Sequence, residues 1–172
     1  MLSGSCSPQW IEPRRIDTWN GITTAYVCLD VPHEYYEDAV AGVEAWDRAL
    51  RQWKRFVPVA VSGPIPFGSM PPGCAYVISE RNGPHPFDPD AVGWTNRIGG
   101  RHIYLRRGFY EKDAEIIVAH ELGHALGAQH IPGTLMNPTY ESIAASCPDV
   151  YTISQVAAYN DLDMSILSWC QG

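Results

Sequence analysis

The fold of this chain is decided by the stretch HELGHALGAQH, residues 120–130. On a helix, residues four apart lie about 40° apart around the axis, so His120 and His124 project from one face. Glycine tolerates the left-handed conformation in which helices end, so Gly127 is expected to stop the helix and turn His130 back. Catalytic zinc has three protein ligands and one water, whereas structural zinc is enclosed by four. The spacing therefore predicts a zinc site with one open position.

The acid next to the first histidine supplies the chemistry. Zinc lowers the pKa of a bound water to about 7 and polarises a carbonyl group. Glu121 is placed to accept the proton of that water as general base and to pass it to a leaving amine as general acid. The predicted reaction is hydrolysis of a peptide bond. Loss of Glu121 is expected to abolish turnover while the metal stays bound.

These residues carry a resemblance to a known family. The pattern H-E-x-x-H-x-x-G-x-x-H, followed by Met136, resembles the metzincin zinc peptidases. The stretch LMNPTY, residues 135–140, is similar to the Met-turn and Pro-x-Tyr wall of the matrixin branch. The resemblance covers about residues 22–169. It implies an α+β, zincin-like fold: a twisted five-stranded mixed sheet with two long helices, and a small C-terminal lobe with the Met-turn and a closing helix.

The resemblance also implies how substrate and metal are surrounded. Met136 would form an apolar floor beneath the metal and supply no ligand. Pro138, Thr139 and Tyr140 would form the outer wall of the pocket that receives the residue after the scissile bond. The expected substrate is a protein or peptide in extended conformation.

Two further features are implied for substrate binding. Ile116 lies one helical turn before His120, where the family places the residue that sets pocket depth, and this indicates a medium-depth apolar pocket. The strand around Gly93, Trp94 and Thr95 would offer its backbone edge to an extended substrate.

Departures from the family pattern bear on additional ions. Pro86-Phe87-Asp88 resembles the loop that in matrixins precedes a structural zinc and a calcium, and His102 matches one ligand of that zinc. The partner histidine is missing from the preceding strand, and Arg106 and Arg107 replace the carboxylates expected after the last strand. Because cations there would repel calcium, we predict one catalytic zinc and no structural zinc or calcium. His102 and Asp88 are expected to be structural.

Length and composition indicate one globular domain. The chain has 172 residues, is 45% hydrophobic and carries a net charge of −7, which favours a packed core. Scattered basic residues argue against a nucleic-acid partner, and no run approaches the length of a membrane span. We expect an extended segment over residues 1–20 and a single catalytic domain over 21–172, with lobes at about 21–130 and 131–172, acting as a monomer.

The five cysteines show no C-x-x-C spacing. The favoured interpretation is two disulfides, Cys28–Cys74 and Cys147–Cys170, with Cys6 left over, in a secreted protein. Five buried free cysteines in a cytosolic protein is the alternative. No basic and apolar signal sequence is present, so we expect that a signal was removed or that the protein leaves its cell by another route.

A latency role for Cys6, in which the thiol caps the zinc as in the matrixin propeptide, is the less favoured hypothesis. The surrounding Ser5-Cys6-Ser7-Pro8 does not match that switch motif. A disulfide or a free thiol is favoured.

Hydrophobic periodicity places the other elements. Residues 23–31 have the β-branched and aromatic content of a strand, and apolar residues every three or four positions predict a helix over about 33–56. Further strands are predicted at 57–61, 75–79, 91–97 and 101–106, the metal-carrying helix at 111–126 and the closing helix at about 154–167. His33 and His85 are predicted to be surface or loop residues.

Two hypotheses from other classes stay open beside the peptidase. One is a metal-binding, catalytically silent interaction module, against which the intact Glu121 counts. The other is a structural component of a larger assembly that carries a peptidase fold. A protease assay with and without a zinc chelator separates the first from an enzyme, and a native size measurement addresses the second.

Overall fold

The computed structural model describes residues 16–19, 21–61 and 63–171. In this part of the chain, strands and helices follow the order β1–β2–α1–β3–β4–β5–β6–α2–α3. The strands are β1 (Ile16–Trp19), β2 (Ile22–Asp30), β3 (Lys54–Ala60), β4 (Tyr76–Arg81), β5 (Gly93–Thr95) and β6 (His102–Arg106). The α-helices are α1 (His33–Leu50), α2 (Ala114–Ala125) and α3 (Val150–Asn160), and short 3₁₀ turns lie at Tyr140–Ser142 and Met164–Ile166.

The strands form one mixed sheet. Within it, strands β2 to β6 follow the order β3-β2-β4-β6-β5 and are parallel except for β5, which is antiparallel to β6. Strand β1 is a sixth strand of the same sheet and is antiparallel to β2. The predicted five-stranded mixed sheet is confirmed for β2 to β6.

Strand β1 lies within the segment 1–20 that is predicted to be extended, and the rest of that segment lies outside the described residues. It pairs antiparallel with the first part of β2, with Ile16 opposite Ala25. Strand β4 covers only the part of β2 from Val27 onward. Because unpaired backbone groups at a sheet edge need partners, β1 fills the length of β2 that β4 leaves open.

Helix α1 ends earlier than its apolar pattern predicts. The pattern continues to about residue 56, but the helix ends at Leu50 and the chain enters β3 at Lys54. The Asp47 carboxylate accepts the main-chain N–H of Phe56 at 2.8 Å and forms two hydrogen bonds with Arg55. These bonds hold the start of the strand against the last turns of the helix. The apolar pattern that predicts a single helix is therefore divided between α1 and β3.

The closing helix also lies earlier than predicted, at Val150–Asn160 instead of about 154–167. Asp149 caps its start, because its side chain accepts the N–H of Thr152 at 2.9 Å. Asp161 ends the helix in the left-handed conformation, with φ of 55°. The start and the end of this helix therefore depend on its capping residues, which apolar periodicity does not identify.

Helices α1 and α2 pack closely against each other. A Cβ atom on Gly42 of α1 would lie 2.6 Å from the main-chain oxygen of Glu115, so only glycine permits this approach. Helix α2 is buried along most of its length. Its polar side chains must therefore find partners inside the protein.

Both predicted disulfides are present among the described residues. Cys28–Cys74 joins β2 to the loop before β4, and Cys147–Cys170 joins the segment before α3 to the C-terminal segment, with Cα–Cα distances of 5.7 and 5.9 Å. Cys6 lies outside the described residues, so its latency role stays a hypothesis. No described helix combines the length and apolar character needed to cross a membrane.

Candidate active site

Three histidine side chains converge where α2 ends. Nε2 of His124 lies 3.1 Å from Nε2 of His120 and 3.2 Å from Nε2 of His130. Gly127 makes the convergence possible, because its φ of +109° turns the chain back after the helix. A Cβ atom there would also overlap the ring of Tyr159. The structure thus brings together the three residues that the sequence spacing singles out.

The remaining ring nitrogens decide where the protons are. Nδ1 of His120 lies 2.8 Å from the main-chain oxygen of Leu135, and Nδ1 of His124 lies 2.8 Å from that of Ala128. A carbonyl oxygen only accepts, so each neutral ring carries its proton on Nδ1 and a lone pair on Nε2. Burial lowers the pKa of His120 to about 4, which keeps this ring neutral near pH 7.

This donor set fits a zinc ion. Zinc–nitrogen bonds of about 2.0–2.1 Å in tetrahedral geometry hold two ligand nitrogens about 3.3 Å apart. The Nε2 separations of 3.1 and 3.2 Å are close to that value. Facing lone pairs at such distances repel one another unless a cation lies between them. The candidate ligand atoms of the three histidines all lie within 4.8 Å of one another, close enough to hold one metal ion.

Glu121 is buried beside the histidines, and both of its carboxylate oxygens are bound. The Tyr140 hydroxyl donates to Oε1 at 2.7 Å, and the Thr95 hydroxyl lies 2.8 Å from Oε2. Burial and the neighbouring Glu121 hold the pKa of Tyr140 well above its ordinary value, so its hydroxyl remains a donor. Residues from the edge strand and from the segment after Met136 therefore meet at one carboxylate.

Met136 lies beneath the histidine helix. Its side chain is fully buried, and a Cβ atom on Gly123 would lie 2.5 Å from its sulfur. The preceding residue, Leu135, supplies the oxygen that orients His120. This turn thus contacts the helix through both a side chain and the main chain, and its role as a floor beneath a metal stays a prediction.

A cavity of about 830 Å³ contains the three histidines and Glu121. Its walls include most of the predicted substrate-binding residues: Gly93, Trp94, Thr95, Pro138, Thr139 and Tyr140. Other lining residues include Asp88, Asp90, Arg97, Gln129 and Glu141. The cavity size is in the range of ligand sites in proteins.

Ile116 is not among the residues that line this cavity. It packs against the main core. The edge strand lies directly on the helix, because a Cβ atom on Gly93 would be 2.6 Å from Cγ2 of Ile117. In addition, Tyr140 donates to the main-chain oxygen of Gly93 at 3.0 Å. The role of Ile116 in a substrate pocket stays a prediction.

His85 is a cavity residue that sequence reasoning missed. It lies in a loop as predicted, but it is buried and lines the cavity instead of facing solvent. Its Nδ1 accepts the main-chain N–H groups of Phe87 and Asp88, each at 3.1 Å, and its ring contacts Trp94. Burial lowers its pKa. The contact with Trp94 joins this loop to β5, and hydrophobic periodicity does not predict such packing.

His102 and Asp88 have partners within the protein. Nε2 of His102 lies 3.1 Å from the main-chain oxygen of Ser69, and Oδ1 of Asp88 accepts the N–H of Asp90 at 3.2 Å. The structural roles expected for both residues stay predictions. The absence of a structural zinc or calcium stays a prediction.

Comparisons with known proteins place the chain in a family. The family model described as Matrixin matches residues 71–156, half of the chain, and this range contains the three histidines and Glu121. High choriolytic enzyme 1, a hatching enzyme zinc-protease from Oryzias latipes (medaka fish), has 16% identity and a TM-score of 0.42, covering 84% of this chain and 92% of that one.

A chaperone–substrate complex has 15% identity and a TM-score of 0.42, covering 70% of this chain and 27% of that one. No curated protein matches the sequence. The predicted α+β, metzincin-like fold class is confirmed. Because the family model spans half of the chain and includes the histidine site, the chain belongs to the matrixin family of peptidases.

Proposed function

We propose that this chain is a zinc-dependent endopeptidase that hydrolyses peptide bonds of extended protein substrates. The observation that carries the proposal is the convergence of three Nε2 atoms beside a buried carboxylate. His120, His124 and His130 would hold the metal. Zinc bound there supplies a Lewis acid and lowers the pKa of water.

Glu121 performs the proton transfers. Its carboxylate accepts a proton from the attacking water and delivers it to the leaving amine. The hydroxyl groups of Thr95 and Tyr140 hold the carboxylate from two sides. A buried carboxylate with these donors keeps one orientation, so it is already aligned for proton transfer when the substrate binds.

Strand β5 binds the substrate backbone. Two hydrogen bonds join its ends to the neighbouring strand, from Arg106 N–H to Val92 O and from Asn96 N–H to His102 O. In an antiparallel pair, the alternate residues direct their backbone groups away from the partner strand. On the side away from β6, the Gly93 C=O accepts the Tyr140 hydroxyl, and the other groups there are the Gly93 N–H and the Thr95 N–H and C=O. An extended peptide pairs with these groups by β-augmentation.

The opposite wall confines the substrate from the other side. Pro138 and Thr139 are exposed residues that line the cavity. They are suited to contact the residue after the scissile bond. The two disulfides support secretion into an oxidising compartment. We extend the proposal to an extracellular enzyme that acts as a monomer.

A quenched-peptide assay tests the function. The zinc-loaded protein is expected to cleave the peptide, and a chelator is expected to abolish cleavage. E121Q is expected to bind zinc at the wild-type ratio and to lose activity by a factor on the order of 10² to 10⁴. The matched control is E37Q, which removes an exposed carboxylate of α1.

Two results would contradict the proposal. One is wild-type protein that holds zinc and cleaves no peptide or protein, which favours the catalytically silent module. The other is an E121Q variant as active as E37Q, which would remove the carboxylate from the mechanism.

A further inference from the structure

The Thr95 hydroxyl is held between two oxygens of a single residue. Its Oγ1 lies 2.8 Å from Oε2 of Glu121 and 2.7 Å from the main-chain oxygen of Glu121. We propose that Thr95 is a positioning residue, which fixes the orientation of the Glu121 carboxylate. This inference rests on the proposed function of Glu121 as general base.

Glu121 needs such a restraint because its side chain has several rotatable bonds. The Tyr140 hydroxyl reaches Oε1 at 2.7 Å but also lies 3.0 Å from the main-chain oxygen of Gly93. One hydroxyl proton cannot serve both acceptors fully, so Tyr140 is a divided donor. The Thr95 hydroxyl also shares a single proton between two acceptors, but both of these acceptors belong to Glu121. Thr95 therefore ties the carboxylate to the helix backbone from which it projects.

The charge on Glu121 strengthens this restraint. Hydrogen bonds to an ionised carboxylate are shorter and stronger than those between neutral groups. Glu121 is buried, so few other donors are available to Oε2. Without the Thr95 hydroxyl, the buried oxygen is left short of a donor, and the carboxylate is expected to turn toward another one.

The same residue also contacts the substrate in the proposed function, but through its backbone. Its side chain bonds to the helix, while its main-chain groups lie at the open edge of β5. A change confined to the side chain therefore leaves the pairing edge in place. The expected kinetic signature is a loss in kcat with little change in KM.

Three zinc-loaded variants test the inference on a quenched peptide. T95V keeps the shape of the side chain but removes the hydroxyl, and it is expected to lower kcat by about 10- to 100-fold with KM within about threefold. T95S restores the hydroxyl and is expected to stay within about threefold of wild-type kcat. T23V is the matched control, a half-buried threonine of β2 outside the cavity.

Crystal structures of zinc-loaded wild type and T95V give a readout independent of turnover. Oε2 of Glu121 is expected to leave its position in T95V and to keep it in T95S. If T95V does not fold, T95A takes its place with the same expected loss of kcat.

The outcomes separate this inference from the proposed function. An active wild type with an equally active T95V, or a T95S variant as impaired as T95V, overturns the inference alone. An unmoved Glu121 carboxylate in the T95V structure does the same. Zinc-loaded wild type that hydrolyses no peptide overturns the proposed function and the inference with it.

Discussion

The indole N–H of Trp46 donates to the main-chain oxygen of Ala119 at 2.7 Å, and this bond ties α1 to the residue directly before His120. Trp46 is fully buried, and its ring also lies against Gly123, where an added Cβ atom would be 3.1 Å away. The long helix α1 thus supports the histidine helix at the level of the candidate ligands.

Replacing this tryptophan should therefore destabilise the protein. W46F removes the hydrogen bond and leaves part of a buried cavity empty, and we expect unfolding free energy to fall by about 2–4 kcal/mol. Urea unfolding measures the change. W169F is the control, because Trp169 is 39% exposed and should change stability by about 0.5 kcal/mol or less. Equal stability of the two variants would contradict the support role of Trp46.

Gly127 should be needed for metal binding as well as for stability. G127A places a side chain at φ of +109° and against the ring of Tyr159, so we expect loss of about 1–3 kcal/mol and weaker zinc binding as His130 moves. Zinc affinity is measured by chelator competition. G133A is the matched control: Gly133 also has a positive φ, +79°, but no atom lies within 4 Å of an added Cβ.

The two glycine variants separate backbone strain from displacement of the ligand. G133A should lose about 1 kcal/mol of stability and keep wild-type zinc affinity. Equal zinc affinities in G127A and G133A would argue that the turn at Gly127 does not place His130.

His102 should make stability depend on acid pH. Burial lowers its pKa in the folded protein, so below the ordinary value of about 6.5 the unfolded chain binds more protons than the folded one. Stability is therefore fully present above about pH 6.5 and is lost as the pH falls through the lower folded pKa. Urea unfolding between pH 7.5 and pH 4.5, roughly the range that brackets this window, measures the slope.

The H102Q variant isolates the contribution of this ring. Its stability should fall less steeply with acid than that of the wild type. A residual slope is expected, because burial also lowers the pKa values of His85, His120 and His130. An unchanged slope in H102Q would show that His102 does not titrate differently in the two states.

The Cys147–Cys170 disulfide should stabilise the C-terminal part. It closes a loop with a sequence separation of 23, for which chain entropy predicts about 3 kcal/mol. The double variant C147A/C170A should lose stability of that order in urea unfolding. Wild type under reducing conditions loses both disulfides and should therefore lose at least as much stability as the double variant. No change in either experiment would contradict a stabilising bond.

Spacing along one helix is enough to place His120, His124 and Glu121. A helix repeats every 3.6 residues, so two histidines four apart must share a face wherever the helix lies. The turn at Gly127 is equally local, because glycine alone adopts its conformation at low cost. The candidate metal ligands, the helix and the turn could therefore be predicted from the residues at 120–130. The cysteine pairs were also predicted correctly.

Contacts between distant parts of the chain decided the rest. The bonds of Thr95 and Tyr140 to Glu121 join residues 26 and 19 positions apart, and the burial of His85 depends on packing against β5. Strand β1 forms because β2 has an open edge there, and α1 stops where Asp47 holds the start of β3. Local periodicity carries no information on these contacts, because they depend on how the sheet and the helices pack together.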